Sequence, residues 1–500
     1  MTAGGLRSSL VWNTLSLGGR QGIRMVTALV LARLLGPADF GVASQAIVTV
    51  TLVALLATFG LVPVLVQRPE LGPRHRHAAS WLSLATGAAA AGVTFCTAGA
   101  VARLFDSPEL VAVMRVLALL VLLKAAAVVP TAMLMRDLRF ARLARAELTG
   151  AALGAVVGIT SAALGARYWA SVAQMLTTDT VLVMLLLRGE RPALGRTDRR
   201  AVGEIARFGG TVLSTNAVNF ASNNGDNLLI GAVLGRTPLG FYALAYRVLS
   251  IPLQVVGQTV ARTVLPAFAR AQHEPRRVAD LYATSMRGVA VLITGPLVGV
   301  ALAADDAIVW VFGPDWHGAV TATRWIAIAG ILRLVFGAAG TLMVSVGRPG
   351  WQFTWSAVTT LVSLAGFLVG MYGWGIEGVA ASIAVLGLPT GIASLWLVAR
   401  LIPLDPGRAL AGLIPPVLAA AAMAGTWFLV HPLTGELPVP VRLAVAGGAS
   451  AVVYVALLVA SPAVRRDVAT LTGTAQKGRA GADDATMAPS SLPRPGDEQS

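Results

Sequence analysis

Long apolar runs, each about the length of a membrane helix, follow one another along almost the whole chain. A helix needs about 20 mostly apolar residues to span the hydrocarbon core, and about fourteen runs meet this requirement. They lie near residues 10–33, 41–66, 79–102, 111–134, 148–165, 169–187, 208–234, 240–265, 284–304, 319–345, 353–373, 376–399, 409–430 and 441–461. The pattern predicts an all-α integral membrane protein with about fourteen transmembrane helices.

Composition supports this class. The chain is 56% hydrophobic and 13% charged, whereas soluble domains carry about 25% charged residues. Arg20 and Arg24 interrupt the first apolar run, so we expect it to stay as a membrane helix and not to be cleaved as a signal peptide. Cys96 is the only cysteine, which excludes an internal disulfide and a cysteine-based metal cluster.

The net charge of +15 comes largely from arginines that follow alternate predicted helices. They are Arg68, Arg74, Arg76, Arg136, Arg139, Arg142, Arg145, Arg188, Arg191, Arg196, Arg199, Arg200, Arg270, Arg276, Arg277, Arg348, Arg400, Arg408, Arg465 and Arg466. The intervening loops are short and poor in lysine and arginine. This is the positive-inside pattern, which predicts that both termini are cytoplasmic. The basic loops are expected to contact membrane lipids, and the distribution disfavours a nucleic-acid partner.

Two segments about 200 residues apart repeat a short motif of Leu-Gly, four residues and Gly. The matching positions are Leu35, Gly36 and Gly41 against Leu234, Gly235 and Gly240. Further matches in the same order are Pro63 with Pro266, Phe105 with Phe312, and Arg115 with Arg324. A repeat in register predicts two pseudo-symmetric six-helix bundles around a central cavity, plus two extra helices.

The repeat divides the chain into five segments. Residues 1–190 form the predicted N-terminal six-helix lobe, 191–207 a basic cytoplasmic linker and 208–400 the C-terminal six-helix lobe. Residues 401–463 hold the two additional helices. Residues 464–500 contain too few large apolar residues for a core and are predicted to be a disordered cytoplasmic tail.

The first helix of each predicted lobe carries a polar stripe. In helix 7, Asn216, Asn219, Asn223 and Asp226 are spaced by three and four residues, which places them on one helical face, with Asn224 beside them. In helix 1 the stripe consists of Asn13, Ser16, Arg20, Arg24 and Thr27. A charge at the bilayer centre costs about 2.5–3.5 kcal/mol on insertion scales, so the stripes predict a hydrated cavity that prefers an anion. Lys124 and Arg247 are further candidates for this cavity.

Two structural alternatives stay open. The asparagines could bridge neighbouring helices, and Asp226 could neutralise Arg24 or Arg247. Asp226 and Asp179 are the only carboxylates that we place well inside helices, and either could bind a coupling cation, H⁺ or Na⁺. The sequence has no phosphate-binding loop and no paired histidines at zinc-binding spacing on a helix. We therefore expect no cofactor and no metal site, and the coupling ion is left open.

The stretches "LARLLGPADFG", "DNLLIGAVLGRTPLGFYALAYRVLSIP" and "VLPAFARAQ" resemble bacterial polysaccharide exporters. These are the lipid-linked oligosaccharide flippases of the multidrug/oligosaccharidyl-lipid/polysaccharide exporter superfamily, in the lipopolysaccharide and teichuronic acid branch. The likeness covers about residues 8–400. It implies a V-shaped pair of bundles in the bacterial cytoplasmic membrane, with other polysaccharide-assembly proteins as possible partners. Related lipid II flippases place helix 1 arginines in the cavity, where Arg20 and Arg24 match; their acidic neighbour is missing here, which disfavours peptidoglycan precursor.

The implied function is translocation of undecaprenyl-pyrophosphate-linked oligosaccharide across the cytoplasmic membrane by alternating access, without enzymatic chemistry. The pyrophosphate needs cationic partners and the sugar hydroxyls suit asparagine. Two alternatives are a drug or cation exporter of the same superfamily and an integral membrane glycosyltransferase, polymerase or ligase acting on the same lipid carrier. The first would have more cavity carboxylates, and the second generally presents a large external loop that this sequence lacks.

Overall fold

The computed structural model describes residues 3–68, 71–189, 194–271 and 274–465. In these ranges the regular structure is helical. The helices are α1 (Ala3–Thr58), α2 (Leu61–Gln67), α3 (Pro73–Leu104), α4 (Leu110–Arg136), α5 (Phe140–Ala163), α6 (Trp169–Leu187), α7 (Arg199–Val233), α8 (Arg236–Ala271), α9 (Pro275–Phe312), α10 (Ala319–Phe336), α11 (Ala338–Ser345), α12 (Pro349–Ala399), α13 (Pro406–Ala411), α14 (Ile414–Leu433) and α15 (Val439–Ala460), with a short 3₁₀ turn at Pro314–Trp316.

Ten helical stretches in the described residues are long and apolar enough to cross a membrane. Two of them, Gly18–Gln67 and Gly350–Ala399, have 50 residues each. At 1.5 Å per residue this is about 75 Å, more than twice the thickness of a hydrocarbon core. Non-helical backbone interrupts α1 at Gly36 and α12 at Gly375. The all-helical membrane class is confirmed, while the total of fourteen helices stays a prediction.

Helix starts follow local sequence signals. Proline occupies the first turn of α3, α12 and α13, where a missing N–H costs no helical hydrogen bond. Asp198 caps α7 by accepting a hydrogen bond from the Ala201 N–H at 2.6 Å. Because of this cap, α7 begins at Arg199, inside the segment predicted as a linker. Residues 466–500, which make up nearly all of the predicted disordered tail, lie outside the described residues.

The chain falls into two compact units. The first consists of the described residues up to Gln254 together with Val300–Leu332 and Gly350–Thr390. The second consists of Val255–Gly299, Arg333–Pro349 and the described residues from Gly391 onward. The division into two six-helix lobes stays a prediction.

Within the second unit, α14 and α15 pack against α9. The Tyr454 hydroxyl donates to the Val291 carbonyl at 2.9 Å, and its ring lies against Gly295, where a Cβ atom would be 2.5 Å from the ring. Met423 lies beside Gly299. Small residues on α9 therefore provide the surface on which the last two long helices pack.

In the first unit, the two repeated Leu-Gly motifs meet each other. Gly36 and Gly235 both have positive φ, at 73° and 87°, a backbone region that glycine adopts without steric cost. A Cβ atom on Gly41 would clash with the Arg236 backbone, and one on Gly240 would clash with the Pro37 carbonyl. The two contacts are reciprocal, because each motif places its second glycine on the residue that follows the first glycine of the other.

The matched phenylalanines occupy equivalent apolar clusters. Phe105 and Phe312 are both buried near the ends of their helices. Leu228 and Ala232 of α7 pack against the cluster of Phe105, while Leu29 and Ala32 of α1 belong to that of Phe312. Each cluster therefore contains residues of the helical segment that comes directly before one of the two repeated motifs.

Candidate anion-binding site

The predicted cationic residues lie on three helices of the first unit. Arg20 and Arg24 are one turn apart on α1, Lys124 lies in the middle of α4, and Arg247 lies on α8. Such charges are costly in lipid and are expected to face a partner charge or water. We call these four residues the cationic cluster; within the described part of the chain, two of them have an ion-pair partner and two do not.

Arg20 and Lys124 are neutralised by carboxylates of neighbouring helices. The Arg20 Nη1 atom lies 2.7 Å from Glu147 Oε1 on α5, and the Lys124 Nζ atom lies 2.9 Å from Asp179 Oδ2 on α6. The carboxylate side chains are largely buried, with exposed fractions of 17% for Glu147 and 12% for Asp179. Asp179 is thus the counter-ion of Lys124 in this structure.

Glu147 is a functional candidate that the sequence analysis missed. It is the eighth residue of α5 and lies two positions after the arginine-rich segment "RDLRFARLAR", a place that is typical of an interfacial residue. The available signal was a carboxylate directly before the predicted span 148–165, in a sequence whose other predicted spans contain several cations. Asp226 and Asp179 are the only carboxylates that the sequence pattern places well inside helices, and Glu147, just before the predicted span 148–165, falls outside that count.

Arg24 and Arg247 form no ion pair within 4.0 Å with any residue that the structure describes. Arg24 is exposed and Arg247 is half-buried. Arg24 interacts electrostatically with Arg20, Asp179 and Glu147, and also with Arg247. The two guanidinium groups therefore repel each other across α1 and α8, and an anion bound near both would offset this repulsion.

Asp226 has partners other than the arginines that were considered for it. Its Oδ2 atom accepts a hydrogen bond from the buried Tyr242 hydroxyl at 2.7 Å. Its Oδ1 atom accepts hydrogen bonds from the Asn227 backbone N–H at 2.8 Å and from the Asn227 amide at 3.1 Å. The ring of Tyr246 lies 5.0 Å from that of Tyr242. This carboxyl group joins α7 to α8, and the proposed neutralisation of Arg24 or Arg247 is not what the structure shows.

The asparagines of α7 lie in different environments. Asn216 is half-buried and Asn223 is exposed. The Asn224 side-chain amide donates to the Phe220 carbonyl of the preceding turn at 3.1 Å. This amide is therefore hydrogen-bonded within its own helix. The Asn219 side chain lies outside the part of the structure that is described. The stripe therefore does not present a single uniform polar surface.

The arrangement is suited to an anion with several oxygens. A guanidinium group presents a planar set of N–H donors that matches phosphate. With Arg20 and Lys124 neutralised within their own pairs, Arg24 and Arg247 supply the surplus positive charge of the cluster. Among the described residues there is no group of three or more histidine, cysteine or carboxylate side chains placed to hold a metal ion.

A separate ionic network lies outside the predicted spans, at the start of α7. Glu204 pairs with Arg68 at 2.5 Å, with Arg200 at 3.3 Å and with His75 at 3.5 Å. The hydrogen bond from Arg68 is the main cause of a lowered pKa for the Glu204 carboxyl. The network connects α2 and α3 to α7.

The fold and this cluster define a multi-pass membrane protein whose helices carry cations without an ion pair to any described residue. Residues 30–321 match the family described as "Polysaccharide biosynthesis protein", and the chain belongs to this family. The resemblance stated from the sequence motifs is therefore confirmed.

Named relatives agree with the assignment. The chain is 27% identical to the teichuronic acid biosynthesis protein TuaB of Bacillus subtilis (strain 168) over 413 residues, which cover 81% of this chain and 85% of the relative. It is 26% identical to the succinoglycan biosynthesis transport protein ExoT of Rhizobium meliloti (strain 1021) over 454 residues, covering 89% and 91%. The fold is similar to that of the lipid II flippase MurJ in an inward closed conformation, with a TM-score of 0.71 at 10% identity over 89% of this chain and 98% of that one.

Proposed function

We propose that this protein is a flippase that moves an undecaprenyl-pyrophosphate-linked oligosaccharide across the bacterial cytoplasmic membrane for cell-surface polysaccharide biosynthesis. The observation that carries the proposal is that two guanidinium groups, Arg24 and Arg247, have no ion pair with any described residue, in a member of the polysaccharide biosynthesis family. The similarity of the fold to a lipid II flippase supports it.

In this proposal the head group carries the recognition. Arg24 and Arg247 bind the pyrophosphate, which is the anion that their surplus charge favours. Asn216 and Asn223 contact sugar hydroxyls, for which an amide offers both a donor and an acceptor. The prenyl chain stays in lipid while the head group crosses by alternating access.

The membrane arrangement is part of the proposal. Each of the two interrupted 50-residue stretches is long enough for two crossings. The 35 residues of α7 and the 36 residues of α8 are long enough for one crossing each. Added to the other eight stretches, these give fourteen crossings, with both termini in the cytoplasm as the arginine-rich loops indicate. The two-lobe plan with a central cavity and two additional helices belongs to the same proposal.

The alternatives have less support. A drug or cation exporter would place surplus carboxylates in the cluster, whereas here the surplus is of arginine. A glycosyltransferase, polymerase or ligase would change its lipid substrate covalently, and the relatives with informative names include a transport protein. The transport cycle could be coupled to H⁺ or Na⁺ through Asp226 or Asp179. Anionic lipids and other polysaccharide-assembly proteins are the proposed partners.

Reconstitution tests the proposal directly. The purified protein is placed in liposomes with a labelled undecaprenyl-pyrophosphate oligosaccharide, and exchange between leaflets is followed for wild type, Arg24→Ala and Arg115→Ala. Arg115 is the matched control, because it lies over the Phe95 ring, 5.2 Å from its centroid, and is more than two helical turns from Lys124 on α4. We expect exchange with wild type and Arg115→Ala and at least a tenfold loss with Arg24→Ala.

Two results would contradict the proposal. Equal exchange with Arg24→Ala and wild type would remove Arg24 from the binding site. Chemical conversion of the lipid, with no movement between leaflets, would favour the enzyme alternative.

A further inference from the structure

Glu147 is placed to compete with a bound anion. Its Oε1 atom accepts from Arg20 at 2.7 Å, and the side chain is 17% exposed. It also interacts electrostatically with Arg24. Glu147 therefore reduces the positive potential of the cluster and occupies donors of an arginine one turn away from the unpaired Arg24.

A pyrophosphate bound at Arg24 would compete with Glu147 for the Arg20 guanidinium group, whose Nη1 atom donates to the Glu147 carboxylate. The carboxylate and the phosphate present the same kind of acceptor to a guanidinium group. They also repel each other, because both are negative. The anion and Glu147 consequently compete for Arg20. A contact between Arg20 and the anion forms at the expense of the contact between Arg20 and Glu147.

Such competition matters for a protein that must let its ligand go. A site with both arginines of α1 free would bind the pyrophosphate more tightly, and tighter binding of the ground state slows the release that completes a transport cycle. A carboxylate attached to the protein can replace the departing anion without any diffusing ion. It also keeps Arg20 satisfied in the empty site.

We propose that Glu147 is a positioning residue that acts as a tethered counter-ion, competing with the substrate pyrophosphate for Arg20 and setting the affinity low enough for release. This inference rests on the proposed flippase function. It assigns to Glu147 a role in releasing the substrate, whereas the flippase proposal concerns the residues that bind it.

The test compares binding and transport for wild type, Glu147→Gln, Glu147→Asp and Glu274→Gln. The probe is undecaprenyl pyrophosphate, with uncharged undecaprenol to measure binding of the lipid tail alone. Glu274 is the matched control, since its pair with Arg277 at 3.2 Å is on the exposed surface. Kd is measured by calorimetry on the full chain in detergent, and exchange is measured in liposomes.

We expect Glu147→Gln to bind undecaprenyl pyrophosphate about tenfold more tightly, because one negative charge beside the anion is removed. The apparent KM and the maximal exchange rate should both fall, a combination that a loss of structure would not produce. Glu147→Asp keeps the charge and should restore most of the maximal rate. In an Arg20→Gln background the effect of Glu147→Gln on Kd should shrink to about threefold or less, because the group through which it acts is gone.

An unchanged or weaker affinity for Glu147→Gln, in protein that retains the melting temperature of wild type, would overturn the inference while leaving the flippase proposal intact. Wild type that neither binds the pyrophosphate lipid nor exchanges it would overturn both. Tighter binding that persists in full in the Arg20→Gln background would show a general charge effect and would also overturn the role assigned to Glu147.

Discussion

Gly41 packs directly on the backbone of Arg236, with no room for a Cβ atom between them. Gly240 packs in the same way on Pro37, so the repeated motifs form a reciprocal contact that depends on glycine. Arg236 also forms an ion pair with Glu109 at the start of α4, at 2.5 Å. This crossing connects α1, α4 and α8 at one end of the helices.

Gly41→Ala is expected to destabilise the protein by about 1–3 kcal/mol, because the added methyl group must displace backbone atoms. The measurement is the melting temperature in detergent. Gly99→Ala is the control, since no atom would lie within 4 Å of its Cβ and alanine favours helix there. A Gly41→Ala variant as stable as Gly99→Ala would contradict the close contact.

Tyr242→Phe removes the hydroxyl that donates to Asp226. It leaves a buried carboxyl oxygen without this donor, which costs about 1–3 kcal/mol. Thermal melting should detect the loss. Tyr372→Phe, at a side chain that is 79% exposed, should melt like wild type. If the two variants behave alike, the hydrogen bond between α7 and α8 does not stabilise the fold.

Asp179→Asn should destabilise the protein because it leaves the Lys124 ammonium group without its counter-ion inside a span. Lys124 is 36% exposed, so we expect a cost below about 3 kcal/mol rather than the larger cost of a fully buried charge. Combining Asp179→Leu with Lys124→Met removes both charges and should regain most of the stability. A double variant no more stable than Asp179→Asn would show that the pair is not the cause.

The Glu204 network at the start of α7 predicts a pH dependence of stability. Hydrogen bonding by Arg68 lowers the pKa of Glu204 in the folded protein, so its contribution to stability is present above the ordinary glutamate pKa and is lost as the pH falls through the lowered value. Arg68, Arg200 and His75 are the charged and titratable groups that face it. Melting temperatures from pH 7 to pH 3 should fall less steeply for Glu204→Gln than for wild type.

Arg68→Gln provides the control for this pH dependence. It removes the main cause of the lowered pKa, so its profile should resemble that of Glu204→Gln, and the double variant should add little. Profiles that stay parallel to that of wild type would show that the network does not contribute to acid sensitivity.

The membrane class, the family and the cations could be predicted because each is visible in local sequence. Apolar runs are as long as the bilayer requires, and Arg20, Arg24, Lys124 and Arg247 are conspicuous inside them. The repeated Leu-Gly motifs could be matched from the sequence. Their contact with each other could not be predicted, because it depends on how helices far apart in the sequence pack.

The ion pairs could not be predicted for the same reason. Arg20 and Glu147 are 127 residues apart, and periodicity within one helix carries no information about its neighbours. Glu147 follows a basic segment and has the pattern of an interfacial residue, while Asp226 finds its partner, Tyr242, on the next helix. The sequence thus identifies which charges enter the membrane, and only the packing decides which of them stay unpaired.

The most direct test of the central claim compares two lipids in liposomes containing the wild-type protein. One is the undecaprenyl-pyrophosphate oligosaccharide, and the other carries the same sugar on undecaprenol without phosphate. If unpaired arginines drive recognition of the head group, only the pyrophosphate lipid should exchange between leaflets at a rate above that of protein-free liposomes. Equal exchange of both lipids, or no exchange of the pyrophosphate lipid, would contradict the account.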